Sequence, residues 1–155
     1  MTKVPSRRLI IDASVIHSAG ETVHPVSSAC RECLTGVLII CHHAVLTEKI
    51  NEEWSRHLSR YSRKWRCSLF AKKKIDPPSS RPISLRLDAF SPLSKAAIEK
   101  DLHILEAANA ADRIIITRDD ALKTALAETP NGLRVRDSFR WINPVTDGSA
   151  PLESL

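Results

Sequence analysis

The 155-residue sequence has few glycines, few aromatic residues and no long apolar segment. Its four glycines do not form the glycine-rich loop that cradles nucleotide phosphates, so that class of binding protein is excluded. The longest apolar run covers residues 37–41 and is far too short to span a bilayer. Residues 1–12 contain no apolar segment long enough for a secretory signal. We therefore expect a cytoplasmic protein that does not enter a membrane.

The four cysteines are expected to be reduced thiols in that compartment. Cys30 and Cys33 form a CxxC motif that is followed by Cys41, His42 and His43, a combination that occurs in zinc sites. Alternatively, the cysteines lie along one amphipathic helix as small apolar side chains. The continuous helical pattern over residues 29–40 favours the second interpretation, because zinc knuckles usually place a turn between the paired cysteines.

Positive charge is in excess, with 23 Lys and Arg against 18 Asp and Glu, a formal charge of +5 and a pI near 9.2. Such an excess favours a polyanionic partner, nucleic acid first. The cations concentrate in residues 56–74, where Tyr61, Trp65 and Phe70 stand among them. Either this segment contacts RNA, or its aromatic residues belong to the core and its cations to a solvated helix face. The candidate RNA-binding residues are Arg60, Arg63, Lys64 and Arg66.

Short apolar runs alternate with helical patterns along the chain, which predicts an α/β fold with three α/β/α layers and a central, mostly parallel sheet. We expect one domain over residues 1–145 and a flexible tail over 146–155. Residues 76–82 break the chain, and residues 83–89 alternate apolar and polar residues, which suggests an extended segment. The strands are predicted at 7–12, 43–47, 113–117 and 133–135, and the helices near 26–40, 48–66, 95–110 and 120–128.

Four acidic residues follow or adjoin the predicted strands. Asp12 ends the first strand, Asp119 follows the strand RIIIT, Asp101 lies on the helix before that strand, and Glu53 lies on the helix after the second. In a parallel sheet these positions converge at one carboxyl-terminal edge, where open α/β sheets bind ligands. Converging carboxylates repel one another unless a cation neutralises them. Oxygen ligands of this kind suit Mg²⁺ or Mn²⁺, which also serve phosphodiester hydrolysis.

Each of these acids has a structural alternative. Asp12 and the pair Asp119 and Asp120 are suitable helix caps, and Asp101 is able to pair with a cation on its own helix. The spacing does not choose between Asp119 and Asp120, nor between Glu53 and its neighbours Glu52 and Glu48. His17 lies one turn beyond Asp12, so it either approaches the acids or serves as a loop or capping residue, which is the more common role. His103 is interpreted as pointing away from Asp101.

Three segments resemble the motifs of PIN-domain nucleases: LIIDASVI, HHAVLTEKINEEW and KDLHILEAANAADRIIITRDD. The closing SFRWINP is similar to the tail of one PIN subgroup, and only residues 58–89 fall outside the resemblance. The resemblance implies that Asp12, Glu53, Asp101 and Asp119 are the metal-binding and catalytic acids. It also implies that Ser14 and Thr117 support the first and the fourth of them.

The same resemblance implies a metal-dependent endoribonuclease that uses Mg²⁺ or Mn²⁺ and commonly forms a homodimer. PIN domains occur as toxins neutralised by an antitoxin and as RNA-processing enzymes, and the toxin role fits somewhat better by analogy. Two other functions stay open. One is a non-catalytic RNA-binding or protein-interaction module on the same fold, and the other is a metal-dependent hydrolase of small phosphoesters.

Overall fold

A computed structural model describes residues 3–155 and contains a five-stranded parallel sheet flanked by helices. The strands are β1 (Arg8–Ile11), β2 (His43–Val45), β3 (Ile75–Asp76), β4 (Ile114–Ile116) and β5 (Arg140–Ile142). Their spatial order is β3-β2-β1-β4-β5, and the parallel sheet flanked by helices confirms the predicted α/β/α fold.

Helices cover the sheet and connect its strands. The helices are α1 (Ala13–Ser18), α2 (Pro25–Ile40), α3 (Glu48–Ser55), α4 (Arg60–Ala71), α5 (Pro92–Asn109), α6 (Ala121–Leu126), α7 (Pro130–Asp137) and α8 (Pro144–Asp147). The helix α2 packs with α1, α4 and α8, whereas α5 packs on β1 and β4 and with α6. No helix within residues 3–155 is long and apolar enough to cross a membrane.

The central strand β1 sets the position of the polar residues that follow it. Residues 9–11 are fully buried, and β1 pairs in register with β4, so that Ile11 lies opposite Ile116. The backbone N–H of Asp12 extends this ladder by donating to the Ile116 carbonyl at 2.9 Å. The polar residues that follow the two strands, Asp12 and Thr117, therefore emerge side by side at the carboxyl-terminal edge of the sheet.

The predicted long helix over residues 48–66 is wrong, because the chain turns between two shorter helices, α3 and α4. Ser59 caps α4 by accepting a hydrogen bond from the Ser62 N–H at 3.0 Å, and its hydroxyl also donates to the Ala19 carbonyl. The buried hydroxyl of Ser62 donates to the Ile16 carbonyl at 2.6 Å. These bonds hold the start of α4 on the end of α1, a tertiary contact that outweighs the helical periodicity of the segment.

The last predicted strand is also displaced. Residues 133–135 belong to α7, and the strand is β5, seven residues further along. The residues Pro130, Asn131 and Gly132 form the first turn of α7. Pro130 occupies the first turn, where its missing N–H costs nothing, and Thr129 accepts a hydrogen bond from the Gly132 N–H at 2.9 Å.

The interpretation of residues 146–155 as a flexible tail differs from the structure. The segment Ala150–Ser154 forms a short 3₁₀ helix, and Leu152 is fully buried in the core beside α2. The Leu152 carbonyl lies 2.9 Å from Nε2 of the buried His42. The predicted extended segment at 83–89 contains no strand and ends in a 3₁₀ helix over Leu87–Ala89.

The cysteines of the CxxC motif lie on α2 and are buried among apolar side chains. Cys30 and Cys33 are both 0% exposed, and all four cysteines are free thiols. Burial raises the pKa of Cys33 to about 12, so its thiol stays protonated at neutral pH. The structure thus favours the interpretation of these cysteines as small apolar residues over a zinc site.

Candidate functional site

Asp12 occupies the turn between β1 and α1 and caps the helix while its carboxylate faces the sheet edge. Its Oδ2 accepts from the Ser14 hydroxyl at 2.5 Å, the Ser14 N–H at 3.3 Å and the Thr117 hydroxyl at 3.1 Å. The two hydroxyls hold one carboxylate oxygen in a fixed place. Asp12 is therefore both a helix cap and an oriented side chain at the end of the sheet.

Glu53 lies on α3, next to the residue that anchors this helix to the sheet. The indole N–H of Trp54, which is fully buried, donates to the Ile11 carbonyl at 2.8 Å. The Glu53 carboxylate lies 3.3 Å from Nε2 of His103, and Nε2 of His17 lies 2.8 Å from the Glu53 carbonyl. Packing of Trp54 and these two histidines thus sets the position of Glu53 relative to the end of β1.

Asp101 projects from α5 and is the most electrostatically perturbed of the four acids. Burial raises the pKa of its carboxyl, and the negative charges of Asp12 and Glu53 raise it further. The positive charges of Lys100 and His103 oppose this shift only in part. Because a neighbouring carboxylate disfavours ionisation, the raised pKa reports that three acids from separate elements share one electrostatic environment.

Asp119 stands in the loop after β4 and is more exposed than the other acids. Its Oδ1 accepts from the Ala121 N–H at 2.9 Å, and its own N–H donates to the Thr117 hydroxyl at 3.1 Å. The neighbouring Asp120 stands at the start of α6 but its side chain makes no capping hydrogen bond. Thr117 therefore joins the two acids, because its hydroxyl contacts both the Asp12 carboxylate and the backbone of Asp119.

One cavity of about 210 Å³, which we call the acid cavity, is lined by all four predicted acids. Glu52 and Glu48 instead line a neighbouring cavity of about 460 Å³, and Asp120 lines neither, so the structure separates alternatives that the spacing left open. The residues that line the acid cavity are Asp12, Ala13, Ser14, His17, Glu53, Arg56, Lys100, Asp101 and Asp119.

An apolar layer lies directly behind three of these acids. Asp12, Asp101 and Asp119 also border a void of about 10 Å³ that is too small to serve as a ligand site. Its apolar walls are Ile104, Ile115, Leu122 and Trp141.

The donor set of the acid cavity fits a hard divalent cation. Carboxylate and hydroxyl oxygens are the ligands that Mg²⁺ and Mn²⁺ prefer, and neither cysteine nor a metal-facing histidine pair competes here. Within residues 3–155, however, no three His, Cys, Asp or Glu side chains are arranged to hold one ion together. Mutual repulsion keeps uncompensated carboxylates apart. Binding by three of the acids therefore requires their side chains to move inward.

The basic helix α4 does not line the acid cavity. Three of its candidate RNA-binding cations are exposed, whereas the guanidinium of Arg66 donates to the Ser55 hydroxyl at 2.9 Å. This bond places Arg66 beside the end of α3, next to Arg56. The exposed cations are Arg60, Arg63 and Lys64.

The three aromatic residues of α4 differ in burial. Trp65 is 2% exposed and donates to the Leu34 carbonyl at 2.7 Å, so it belongs to the core. Tyr61 is partly buried against the core, and its hydroxyl donates to the Arg31 carbonyl at 3.2 Å. Phe70 is 53% exposed and is therefore the most accessible of the three for stacking on a base.

Two residues of the site escaped the sequence analysis, namely Arg56 and Lys100, which bring positive charge to the acid cavity. Of the two interpretations of His17, the structure favours the one in which it approaches the acids, because it lines the acid cavity. His103 forms its contact with the Glu53 carboxylate on α3. One signal was available: Arg56 follows Glu53 by three positions and therefore lies on the same helix face.

Comparison of the chain with known protein families and with curated protein sequences gives no match. The resemblance to PIN-domain nucleases therefore rests on the motifs of the sequence and stays a prediction. What the structure adds is the parallel sheet and the convergence of the acids.

Proposed function

We propose that this protein is a divalent-metal-dependent ribonuclease of the PIN type, which hydrolyses phosphodiester bonds within RNA. The observation that carries the proposal is that Asp12, Glu53, Asp101 and Asp119, drawn from four separate elements, line one cavity. Burial and the charges of neighbouring acids raise the pKa of Asp101, which is costly for the folded protein, so a cation-dependent function explains why these acids are together.

The proposed metal ligands are the four acids, with Mg²⁺ or Mn²⁺ as the ion. A bound cation supplies a water of lowered pKa and offsets negative charge on the phosphate. The protein's own contribution is orientation. Ser14 and Thr117 hold the Asp12 carboxylate in place, and His103 holds that of Glu53.

RNA as the substrate is supported by the charge distribution around the cavity. Arg56 and Lys100 flank the acids, and the exposed cations of α4 continue the positive surface beyond the end of α3. We propose that Arg60, Arg63, Lys64 and Arg66 contact the RNA backbone. Small phosphoesters as substrates leave this basic helix without a purpose.

The test is cleavage of end-labelled single-stranded RNA by the purified protein with Mn²⁺, with Mg²⁺ and with a chelator. We expect metal-dependent cleavage that falls about a hundredfold or more in Asp12→Asn and Asp119→Asn, the scale of losing a group that stabilises transition-state charge. Asn keeps an oxygen that accepts hydrogen bonds, so the cap of α1 persists. Asp120→Asn is the matched control, because Asp120 lies outside the cavity. Full activity in Asp12→Asn contradicts the proposal.

A second measurement separates metal binding from activity. An ion present at about 100 times its Kd stabilises the folded protein by about 2.7 kcal/mol, which raises the melting temperature. We expect Mn²⁺ to raise the melting temperature of the wild-type protein and of Asp120→Asn, but not of Asp12→Asn. An equal rise in all three proteins argues against a metal site at these acids.

A non-catalytic RNA-binding or protein-interaction module is the second candidate function. It is favoured by the spacing of the acids, no three of which are arranged to hold an ion within the described part of the chain. This alternative predicts RNA binding through α4 without metal-dependent cleavage and without stabilisation by Mn²⁺. The two measurements above therefore distinguish the two functions.

The biological setting that we propose is that of a toxin restrained by an antitoxin, with RNA processing as the alternative. A protein antitoxin that shields the acid cavity fits the open sheet edge on which the four acids lie. If a small DNA-binding protein encoded beside this one inhibits the cleavage in a purified mixture, the toxin role is supported. Cleavage that no neighbouring gene product inhibits favours RNA processing.

A further inference from the structure

Arg56 lies at the junction of two adjoining cavities. It follows the last residue of α3 and lines both the acid cavity and the neighbouring cavity of about 460 Å³. Among residues 3–155 it is the one residue that the two linings share. A ligand that extends from one cavity into the other therefore passes its side chain.

The guanidinium of Arg56 is available to an external anion. Within residues 3–155 it forms no ion pair, although Glu53 lies one helical turn before it and three further acids line the same cavity. Arg66, which is bonded to the Ser55 hydroxyl, adds a second positive charge nearby. A free guanidinium beside a phosphodiester site matches the fork geometry with which arginine binds phosphate oxygens.

The sizes of the two cavities indicate an extended ligand. Small-molecule sites measure about 300–1,000 Å³, so the acid cavity of about 210 Å³ takes an ion and one phosphate group but not a whole nucleotide. The neighbouring cavity lies within that range. A nucleotide bound at the acids must therefore extend outwards, and the neighbouring cavity adjoins the acid cavity at Arg56.

The lining of the neighbouring cavity suits a sugar and a base better than a second phosphate. Three carboxylates and only two full positive charges line it, so a further anion is repelled. The carboxylates accept hydrogen bonds from ribose hydroxyls and from exocyclic amino groups of the base, and the 2′-hydroxyl is the group that distinguishes RNA from DNA. The lining residues other than Arg56 are Thr47, Glu48, Lys49, Glu52, Ser80, His103 and Glu106.

We propose that Arg56 binds the substrate phosphate that enters the acid cavity, and that the neighbouring cavity binds the nucleoside attached to that phosphate. The inference rests on the proposed ribonuclease function and specifies its substrate as a strand of at least two nucleotides. Arg56 then acts as a binding residue, while the four acids carry the chemistry.

The test is the affinity for a fluorescent RNA octamer, measured by anisotropy with Mg²⁺ in an Asp119→Asn background. We expect Arg56→Gln to weaken binding about tenfold, since charge-assisted hydrogen bonds to phosphate are lost. The affinity of Arg56→Lys is expected to lie between those of Arg56→Gln and of the parent protein with Arg56. Lysine keeps the positive charge but loses the forked guanidinium geometry that binds two phosphate oxygens. Arg134→Gln is the control for net charge, since Arg134 is exposed on α7 outside both cavities. Equal affinities of Arg56→Gln and Arg134→Gln overturn the proposal.

Two further comparisons test the ligand itself. A dinucleotide is expected to bind more tightly than a mononucleotide, and this gain is expected to shrink in Arg56→Gln. Equal binding of both ligands overturns the nucleoside site, and equal binding of an acidic octapeptide overturns the assignment to nucleic acid. A wild-type protein that binds the octamer but never cleaves it contradicts the proposed function and leaves the role of Arg56 intact.

Discussion

The acid cavity and the basic helix α4 are both charged regions, but they form in opposite ways. The four acids are spread over 107 positions, from Asp12 to Asp119, and converge on one cavity. The cations of α4 are neighbours in sequence and diverge over an exposed surface. A parallel sheet collects residues that follow its strands, whereas a helix turns successive residues to different sides.

The difference shows what each region is able to do. Burial, and after it the charges of Asp12 and Glu53, raise the pKa of Asp101, and such perturbation is typical of chemical sites. Separated, exposed cations are screened by solvent and act additively on a polyanion. The acid cavity is therefore suited to chemistry at one point, and α4 to binding along a strand.

The largest expected effect concerns the aromatic residues of α4, one of which belongs to the core and one to the binding surface. Trp65 packs at 5.6 Å from Trp54, centroid to centroid, and is nearly fully buried, whereas Phe70 is half exposed. We expect Trp65→Ala to lower the free energy of unfolding by about 3–5 kcal/mol, the usual cost of removing a buried aromatic ring. Phe70→Ala is expected to change it by about 0.5 kcal/mol or less. Chemical denaturation followed by circular dichroism measures both.

The affinity of the same two variants for RNA tests the assignment of these residues a second time. If Trp65→Ala folds with unchanged stability but loses affinity for RNA, Trp65 is a stacking residue and the core assignment fails. If Phe70→Ala alone loses affinity, the surface of α4 includes a base-stacking position.

Neutralising the cations of α4 is expected to have a smaller effect, confined to binding. Arg63→Gln combined with Lys64→Gln removes two exposed charges, so the affinity for single-stranded RNA is expected to fall about tenfold and the salt dependence to flatten by about 1.4 in logarithmic slope. In cleavage, KM is expected to rise while kcat stays unchanged. The control is the double variant Arg86→Gln and Arg134→Gln, two exposed arginines outside α4. If kcat falls further in the α4 variant than in the control variant, α4 takes part in the chemical step. The division between an acid cavity for chemistry and a helix α4 for binding is then wrong.

The convergence of the acids was predictable because it depends on strand ends, which the sequence marks clearly. Residues 9–11 and 114–116 are uninterrupted apolar runs, and each precedes an acid by one to three positions. The choice of Asp119 over Asp120 did not follow from the spacing and came only from the resemblance to a known family. It depends on the loop that joins β4 to α6, where the Thr117 hydroxyl bonds to the backbone of Asp119.

The features that the sequence did not reveal depend on tertiary contacts. The two-residue strand β3 is too short to carry a periodic pattern, and it pairs only because β2 lies beside it. The break between α3 and α4 depends on Ser59 and Ser62, whose partners lie on α1. Leu152 is buried because α2 presents an apolar surface to it. Such partners are distant in sequence, so local propensity carries no signal for them.

The smallest predicted effect concerns the stability cost of the acid cavity. Because the pKa of Asp101 is raised, the folded state binds its proton more tightly than the unfolded state does. Stability from this group is therefore present at low pH and is lost as the pH rises through the folded-state pKa. At pH 7 the ionised Asp101 destabilises the fold, and Asp101→Asn is expected to raise the melting temperature by a few degrees.

Thermal melts of Asp101→Asn from pH 3 to pH 8, beside the exposed control Asp88→Asn, measure this effect. The gain in melting temperature is expected to shrink as the pH falls below about 4, where the carboxyl is protonated in both states. Addition of Mn²⁺ at pH 7 is also expected to reduce the difference in melting temperature between Asp101→Asn and the wild-type protein. The cation relieves the repulsion between Asp101 and its neighbouring carboxylates, which exists in the wild-type protein only. A lower melting temperature for Asp101→Asn at pH 7 shows instead that Lys100 and His103 outweigh burial and repulsion. In that case the acid cavity does not lower the stability of the fold. It then no longer differs from α4, whose exposed charges are screened by solvent, in the effect of its charges on stability.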